Sequence, residues 1–246
     1  MSPAFFCACR SGELCAGVPP YRLEPSLPPC RHRITAMRPA RPSPVRRRFH
    51  PGKPLLFIAS LLPLAWLLWL GSQGRLGANP VETLSHATGD WSLRFLLLTL
   101  VITPLRRLSG WTGVQKYRRM LGLFAFFYVG LHFTVYLVFD QFFDWTAIVT
   151  DIAKRPYITV GFAAFVLLIP LAITSTNGMI RRLGRHWQRL HRLIYLAAIL
   201  GVLHYAWLVK ADLREPLLYG GLLAALLGYR LWWWQTRSVT PRPSGR

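Results

Sequence analysis

Carboxylates are scarce in this chain. Nine Asp and Glu stand against thirty Lys and Arg, a formal net charge of +21 at pH 7 over 246 residues. Cysteine is scarcer still: Cys7, Cys9, Cys15 and Cys30, all within the first fifty residues. None forms a CxxC pair, so neither a zinc site nor a thioredoxin-like redox motif can be built from them. No GxGxxG stretch is present, and no soluble domain for a flavin or nicotinamide can be traced. No secretory n-region, h-region and cleavage site can be made out. The excess of basic charge has no base-reading element behind it, which excludes nucleic acid as a partner.

What is plentiful is apolar. Hydrophobic residues make up 52% of the chain, and they cluster into runs too long for a soluble domain. The runs predict an all-α fold, a six-span transmembrane helical bundle. They lie at 54–71, 91–105, 118–139, 157–174, 187–209 and 216–234. At a helical rise of about 1.5 Å per residue the first reaches about 27 Å, enough to cross the hydrocarbon core. Pro63 and Pro170 are expected to kink the first and fourth. The second is short and interrupted by Arg94, which must snorkel, with Trp91 in the interface. The loop GSQGRLGANP joins the first two spans. Between the third and fourth, DQFFDWTAIVTDIAK is expected to form a short interfacial helix. No internal repeat is evident.

Charge orients the bundle. Lys53 and Arg46 to Arg48 precede the first span, and Arg106, Arg107, Lys116, Arg118 and Arg119 lie between the second and third. Arg181, Arg182, Arg185, Arg189 and Arg192 surround the start of the fifth, and Arg237, Arg242 and Arg246 end the chain. With six spans all of these share one side, which the positive-inside rule makes cytoplasmic, together with both termini. These basic loops would contact anionic lipid headgroups. Glu82, Asp90, Asp140, Asp144, Asp151, Asp212 and Glu215 share the other side. Residues 51–236 are thus expected to be the membrane domain, with 237–246 a basic cytoplasmic tail. Residues 1–50, rich in Pro, Arg and Ser, are expected to be a disordered basic tail or, with initiation at Met37, not to be made.

Seven histidines remain. His32 and His50 in the tail and His86 in the first outer loop read as exposed polar residues, and His186 as an interfacial one. His132 in the third span and His204 in the fifth lie at matched depth, toward the outer side. An imidazole inside a span is costly and points to function. A lone one more often hydrogen-bonds across helices. Two at one depth on different spans suit axial ligation of a haem iron. Such a site is six-coordinate and low-spin with no open position, so it suits electron transfer. His191 lies thirteen residues before His204, about 20 Å along an ideal helix and about 140° around it. It would serve a second, inner haem, but the third span places Arg118 and Arg119 there instead of a histidine. These arginines read as part of the positive-inside cluster rather than as partners for haem propionates or a flavin phosphate.

Several segments in order, LGANPVETLSHATG, TLVITPLRR, RRMLGLFAFFYVGLHFTVY, RPYITVGF and ITSTNGMIRRLGRHWQRLHRLIYLAAILGVLHYAW, together resemble the MsrQ (YedZ) family, over about residues 50–235. These are haem-binding subunits related to ferric-reductase-like transmembrane domains. The resemblance implies a multi-pass b-type cytochrome of the bacterial inner membrane, carrying haem b, one or two, and associated with FMN. It implies electrons from the quinone pool or a cytoplasmic flavin reductase. It implies their delivery to MsrP, a periplasmic molybdenum enzyme that repairs methionine sulfoxide. It assigns His132, His191 and His204 as haem iron ligands, and raises His191 above what its spacing alone supports. The chain ends shortly after the sixth span, so electrons are expected to enter from a separate donor, and substrate chemistry to occur on the partner.

Two other readings compete. One is a haem-free proton channel or transporter with the three histidines as a relay; the lack of carboxylates inside the spans weighs against it. The other is a stand-alone ferric reductase using the same haems without a protein partner.

Overall fold

The structure is a computed structural model and describes residues 52–209 and 213–239. The described residues fall in one compact unit. The expected tail, with its cysteines, His32 and His50, lies outside the described residues. Among those described, every regular element is helical. Six are long: α1 (Gly52–Ser72), α2 (Pro80–Ser109), α3 (Arg118–Val135), α5 (Pro156–Ile173), α8 (Leu193–Leu208) and α9 (Arg214–Val239). Three are short: α4 (Trp145–Lys154), α6 (Asn177–Leu183) and α7 (Arg185–Leu190). A π-helical turn, Tyr136–Asp140, carries α3 onward.

Four segments are long and apolar enough to cross a membrane: Gly52–Ser72, Arg118–Asp140, Pro156–Ile173 and Arg185–Leu208. Their outward side chains agree, with Leu55, Leu62, Leu68, Val166 and Ile173 exposed. In water such a surface would be an aggregation liability; in lipid it is the expected one. The α2 and α9 helices are long but more polar, since Arg94 and Arg230 interrupt their apolar runs.

The helices run up and down. Ser85 and Thr99 of α2 face His132 and Gly122 of α3, which makes that pair antiparallel. Tyr157 and Thr174, at the start and end of α5, meet His204 of α8 and Trp187 of α7 in the same sense. Arg94 and Leu100 of α2 meet Tyr219 and Arg230 of α9, a parallel pair. The core between them holds Leu97, Leu100, Tyr128 and the small residues Ala125, Ala197 and Ala198, all essentially without exposure. Small residues let helix backbones approach closely where lipid supplies no hydrophobic drive to pack.

At Pro63, Tyr128 repairs the first helix. Its hydroxyl donates to the Ser60 carbonyl (2.9 Å) and accepts from the Leu64 amide (3.2 Å). The phenol thus bridges two α1 backbone groups beside the residue that has no N–H to give.

Two elements differ from their sequence pattern. Helix α2 begins eleven residues before the expected span. The Asn79 side chain accepts from the Glu82 amide, and Pro80 opens the first turn, two start signals that hydropathy does not register. His86 is therefore on a helix rather than in a loop. The fifth span is not one helix. Arg192 N–H bonds the Arg189 carbonyl and Tyr195 N–H the Arg192 carbonyl, at 3.2 and 3.1 Å. This tightening to three-residue turns falls at His191, so the angle between His191 and His204 on an ideal helix does not apply. The segment after α3 does form its short helix. Asp144 caps α4 by accepting from the Thr146 and Ala147 amides.

Candidate functional site

His132 and His204 come together. Their ring centroids lie 6.2 Å apart with the planes crossed at 74°. Each ring is fixed by the long helix that precedes its own. His132 Nδ1 is 2.9 Å from the Ser85 carbonyl on α2, and His204 Nδ1 is 2.7 Å from the Tyr157 carbonyl on α5. A carbonyl only accepts, so each Nδ1 carries the proton and donates. Each Nε2 is left with its lone pair, the tautomer a metal ligand needs.

Glycine makes both contacts sterically accessible. One helical turn after each carbonyl comes Gly89 or Gly161. A Cβ on Gly89 would sit 3.3 Å from His132 Nδ1, and one on Gly161 only 2.7 Å from His204 Nδ1. The two arrangements repeat: carbonyl, glycine a turn later, and a histidine 47 residues beyond the carbonyl in each case. The repeat that the sequence did not display is therefore present in the fold.

Both rings line a cavity of about 520 Å³, within the roughly 300–1,000 Å³ range of cofactor sites. Leu96, Val129, Phe133 and Phe165 form its apolar wall. Its mouth carries His86, Asp90, Asp151 and Arg155, with ion pairs Arg94–Asp90 at 4.0 Å and Arg155–Asp151 at 3.3 Å. His86 is exposed, as expected, but pairs with Glu82 (3.9 Å) and belongs to this mouth.

The residues fit a haem. Two metal–imidazole bonds of about 2 Å plus two ring radii come to roughly 6 Å, close to the observed ring separation. The donor set is two neutral imidazoles in an apolar slot. No cluster of three or more His, Cys, Asp or Glu that could hold another metal occurs among the described residues.

His191 is not brought to this pair. It caps α7, edge-on to the Trp187 ring at 4.0 Å, and Trp187 Nε1 donates to the Thr174 carbonyl at 3.0 Å. Its Nε2 is buried without a hydrogen-bond partner. A buried polar nitrogen without a partner is a candidate ligand position. Nearby His186 is exposed. His191 thus offers one candidate ligand nitrogen, and among the described residues no second imidazole is paired with it.

Residues 88–202 match the model of the ferric reductase like transmembrane component family. The chain is 56% identical over 201 residues to the heme-binding subunit MsrQ of a protein-methionine-sulfoxide reductase from Herminiimonas arsenicoxydans, covering 77% of this chain and 92% of that protein. MsrQ from Rhodospirillum rubrum is 54% identical over 205 residues, covering 83% and 97%. MsrQ from Xanthomonas euvesicatoria is 56% identical over 187 residues, covering 74% and 86%. The chain belongs to the MsrQ family. As an MsrQ-family chain with four long apolar helices it is a multi-pass membrane protein with a ferric-reductase-like core.

The sequence did not single out Gly89, Gly161, the Ser85 and Tyr157 carbonyls, or Arg230. Carbonyls carry no residue signature, since any residue has one. The glycines had a signal, an equal distance to the following intramembrane histidine, that becomes meaningful once α2–α3 and α5–α8 are seen to repeat.

Proposed function

We propose that this chain is the haem-carrying electron-transfer subunit of a methionine sulfoxide reductase system. It would sit in the bacterial inner membrane with α2 and α9 completing six spans and both termini cytoplasmic. The observation that carries this reading is the His132–His204 pair, each Nδ1 tied to a carbonyl and both rings lining one largely apolar cavity.

When bound there, haem b would supply a one-electron redox centre without an open coordination position. The chain's part is to hold both rings at fixed depth and tautomer, to exclude water with Leu96, Val129, Phe133 and Phe165, and to leave an acidic mouth toward a periplasmic MsrP-type molybdenum partner. His191 would give an axial nitrogen to a second haem nearer the basic side, with FMN as a further cofactor. Electrons would come from quinol or a cytoplasmic flavin reductase. Substrate chemistry would take place on the partner. Residues 1–50 and 237–246 are read as tails around the 51–236 membrane domain.

The test is an absorption spectrum of the purified full-length protein in detergent, oxidised and dithionite-reduced, with a pyridine haemochrome count. A Soret band with sharp reduced α and β bands is expected. His132→Ala should lower the count by about one haem, because one of two iron–nitrogen bonds is lost. A protein that stays colourless after haem reconstitution would sink the electron-carrier reading and leave a histidine proton relay to be tested by proton flux.

A further inference from the structure

The segment joining α3 to α5 turns apolar side chains outward where a water-facing loop would show polar ones. Phe142 and Phe143 are 79% and 53% exposed, and Trp145 and Val149 of α4 are each 66% exposed. Trp145, Val149 and Ala153 stand at i, i+4 and i+8 on one exposed stripe of α4. The adjoining stripe packs inward: Ile148 is buried and Ile152 lines the cavity. Helix α4 is thus apolar on two neighbouring stripes, and the protein covers only one.

Phe142 and Phe143 are also the only non-glycine residues with positive φ among those described, at 46° and 61°. Bulky side chains rarely take that conformation. Here it is fastened on both sides. Phe143 N–H bonds the Leu137 carbonyl at 3.0 Å, and Asp144 N–H the Gln141 carbonyl at 2.8 Å. Both rings stay exposed, so the strain is not offset by burial within the protein.

The polar groups of the segment face the other way. Gln141 Nε2 donates to Asp151 at 2.9 Å, Asp151 pairs with Arg155 at 3.3 Å, and Asp144 caps α4. Tyr136, Gln141, Asp151 and Ile152 line the cavity. One short stretch therefore walls the cavity mouth with one side and exposes an aromatic surface with the other.

Lipid suits that surface better than a protein partner does. The patch continues from Phe139, exposed at the end of the apolar span Arg118–Asp140. Tryptophan is enriched where membrane meets water, and a short amphipathic helix lies there with its apolar face in the lipid. A protein-docking surface carries a polar rim, whereas Asp144 and Asp151 are engaged within the chain.

We propose that Phe142, Phe143, Trp145 and Val149 anchor this segment in the lipid interface at the mouth end of the bundle, and that the anchor holds α4 as a wall of the cavity. This goes beyond the expected interfacial helix, because it ties the state of the cavity to the membrane. It depends on neither the haem nor the electron-carrier reading.

The test uses full-length protein in nanodiscs of phosphatidylethanolamine and phosphatidylglycerol, with Cys7, Cys9, Cys15 and Cys30 changed to Ser. A spin label is placed on Val149→Cys or on Lys154→Cys, about 140° apart around α4. Each label meets oxygen, which concentrates in lipid, and a nickel chelate, which stays in water. The label at 149 is expected to relax with oxygen and the one at 154 with nickel. Hydrogen exchange of the α4 amides is then compared between wild type and the double variant Phe142→Asn, Phe143→Asn. Asparagine accepts positive φ, so a role confined to the turn leaves exchange unchanged or slower. The anchor makes α4 exchange about tenfold faster or more, because two rings leave lipid, and spares α8. Trp145→Ser, outside the turn, moves exchange in the same direction and carries the test if the double variant fails to assemble.

A label at 149 that relaxes with nickel overturns the anchor. If nickel access there is lost only when a purified MsrP-type partner is added, the patch docks protein instead. Exchange that is unchanged or slower in the variants overturns the hold on the cavity wall. A protein without haem loses the electron-carrier reading alone, since neither readout uses haem.

Discussion

His132 and His204 at the acidic end and His191 at the basic end are the same residue type inside one bundle, yet the fold treats them differently. The acidic-end pair has everything supplied by protein: a carbonyl for each Nδ1, a glycine under each ring, a partner ring at 6.2 Å and a cavity between helices. His191 has a tryptophan edge and a buried nitrogen with nothing to bond. Its surroundings are cationic where those of the pair are acidic. One site is preorganised by two repeated helix pairs; the other has a buried nitrogen with no hydrogen-bond partner among the described residues.

The largest effect separates the two outright. Changing both His132 and His204 to Ala should abolish the low-spin signal of crossed imidazoles, a ferric EPR feature at unusually high g, while His191→Ala should leave it in place. The rings cross at 74°; if they kept that angle on a bound haem iron, two of its d orbitals would lie close in energy. If His191→Ala removed that feature, the pairing would be wrong.

Next come the glycine seats. Gly161→Ala puts a methyl 2.7 Å from a ring nitrogen, and Gly89→Ala puts one at 3.3 Å. Forcing that contact should cost about 1–3 kcal/mol at Gly161 and clearly less at Gly89. Denaturation midpoints together with EPR g-values would check the order; equal effects at both positions would mean the rings are not seated as described.

A smaller change belongs to the other end. Trp187→Phe deletes the bond to the Thr174 carbonyl and should cost about 1 kcal/mol. It should disturb a haem held by His191 and spare one held by the pair. A shift confined to the crossed-ring signal would contradict this separation.

The smallest effect is a null result with content. Ser85→Ala should change stability by no more than about 0.5 kcal/mol and leave the haem spectrum intact, because His132 bonds the Ser85 carbonyl and not its hydroxyl. Loss of haem in this variant would show that the hydroxyl had been the partner.

How much of this could be read from residues alone follows from what each feature depends on. Long apolar runs identify helices that lipid must surround, since backbone groups in hydrocarbon have to bond within their own segment. His132 and His204 stood out because imidazole is expensive at that depth, and their matched position was countable. The start of α2 was missed because VETLSHATGD is polar and its capping signals are local. The turn at His191 was missed because no Pro or Gly marks it.

The amino-acid sequence by itself determined that the chain is helical and apolar, with its acids and its arginines segregated, and with few imidazoles placed where burial is costly. Those are properties of composition and order along one strand of chain. Tertiary structure alone decided which nitrogen of each imidazole is free and which backbone carbonyl holds the other. It alone decided that two glycines clear the way, and that Arg230 bonds a backbone carbonyl of a distant helix. Each of these is a contact between helices distant in sequence, and only packing fixes the depth and rotation at which such helices meet.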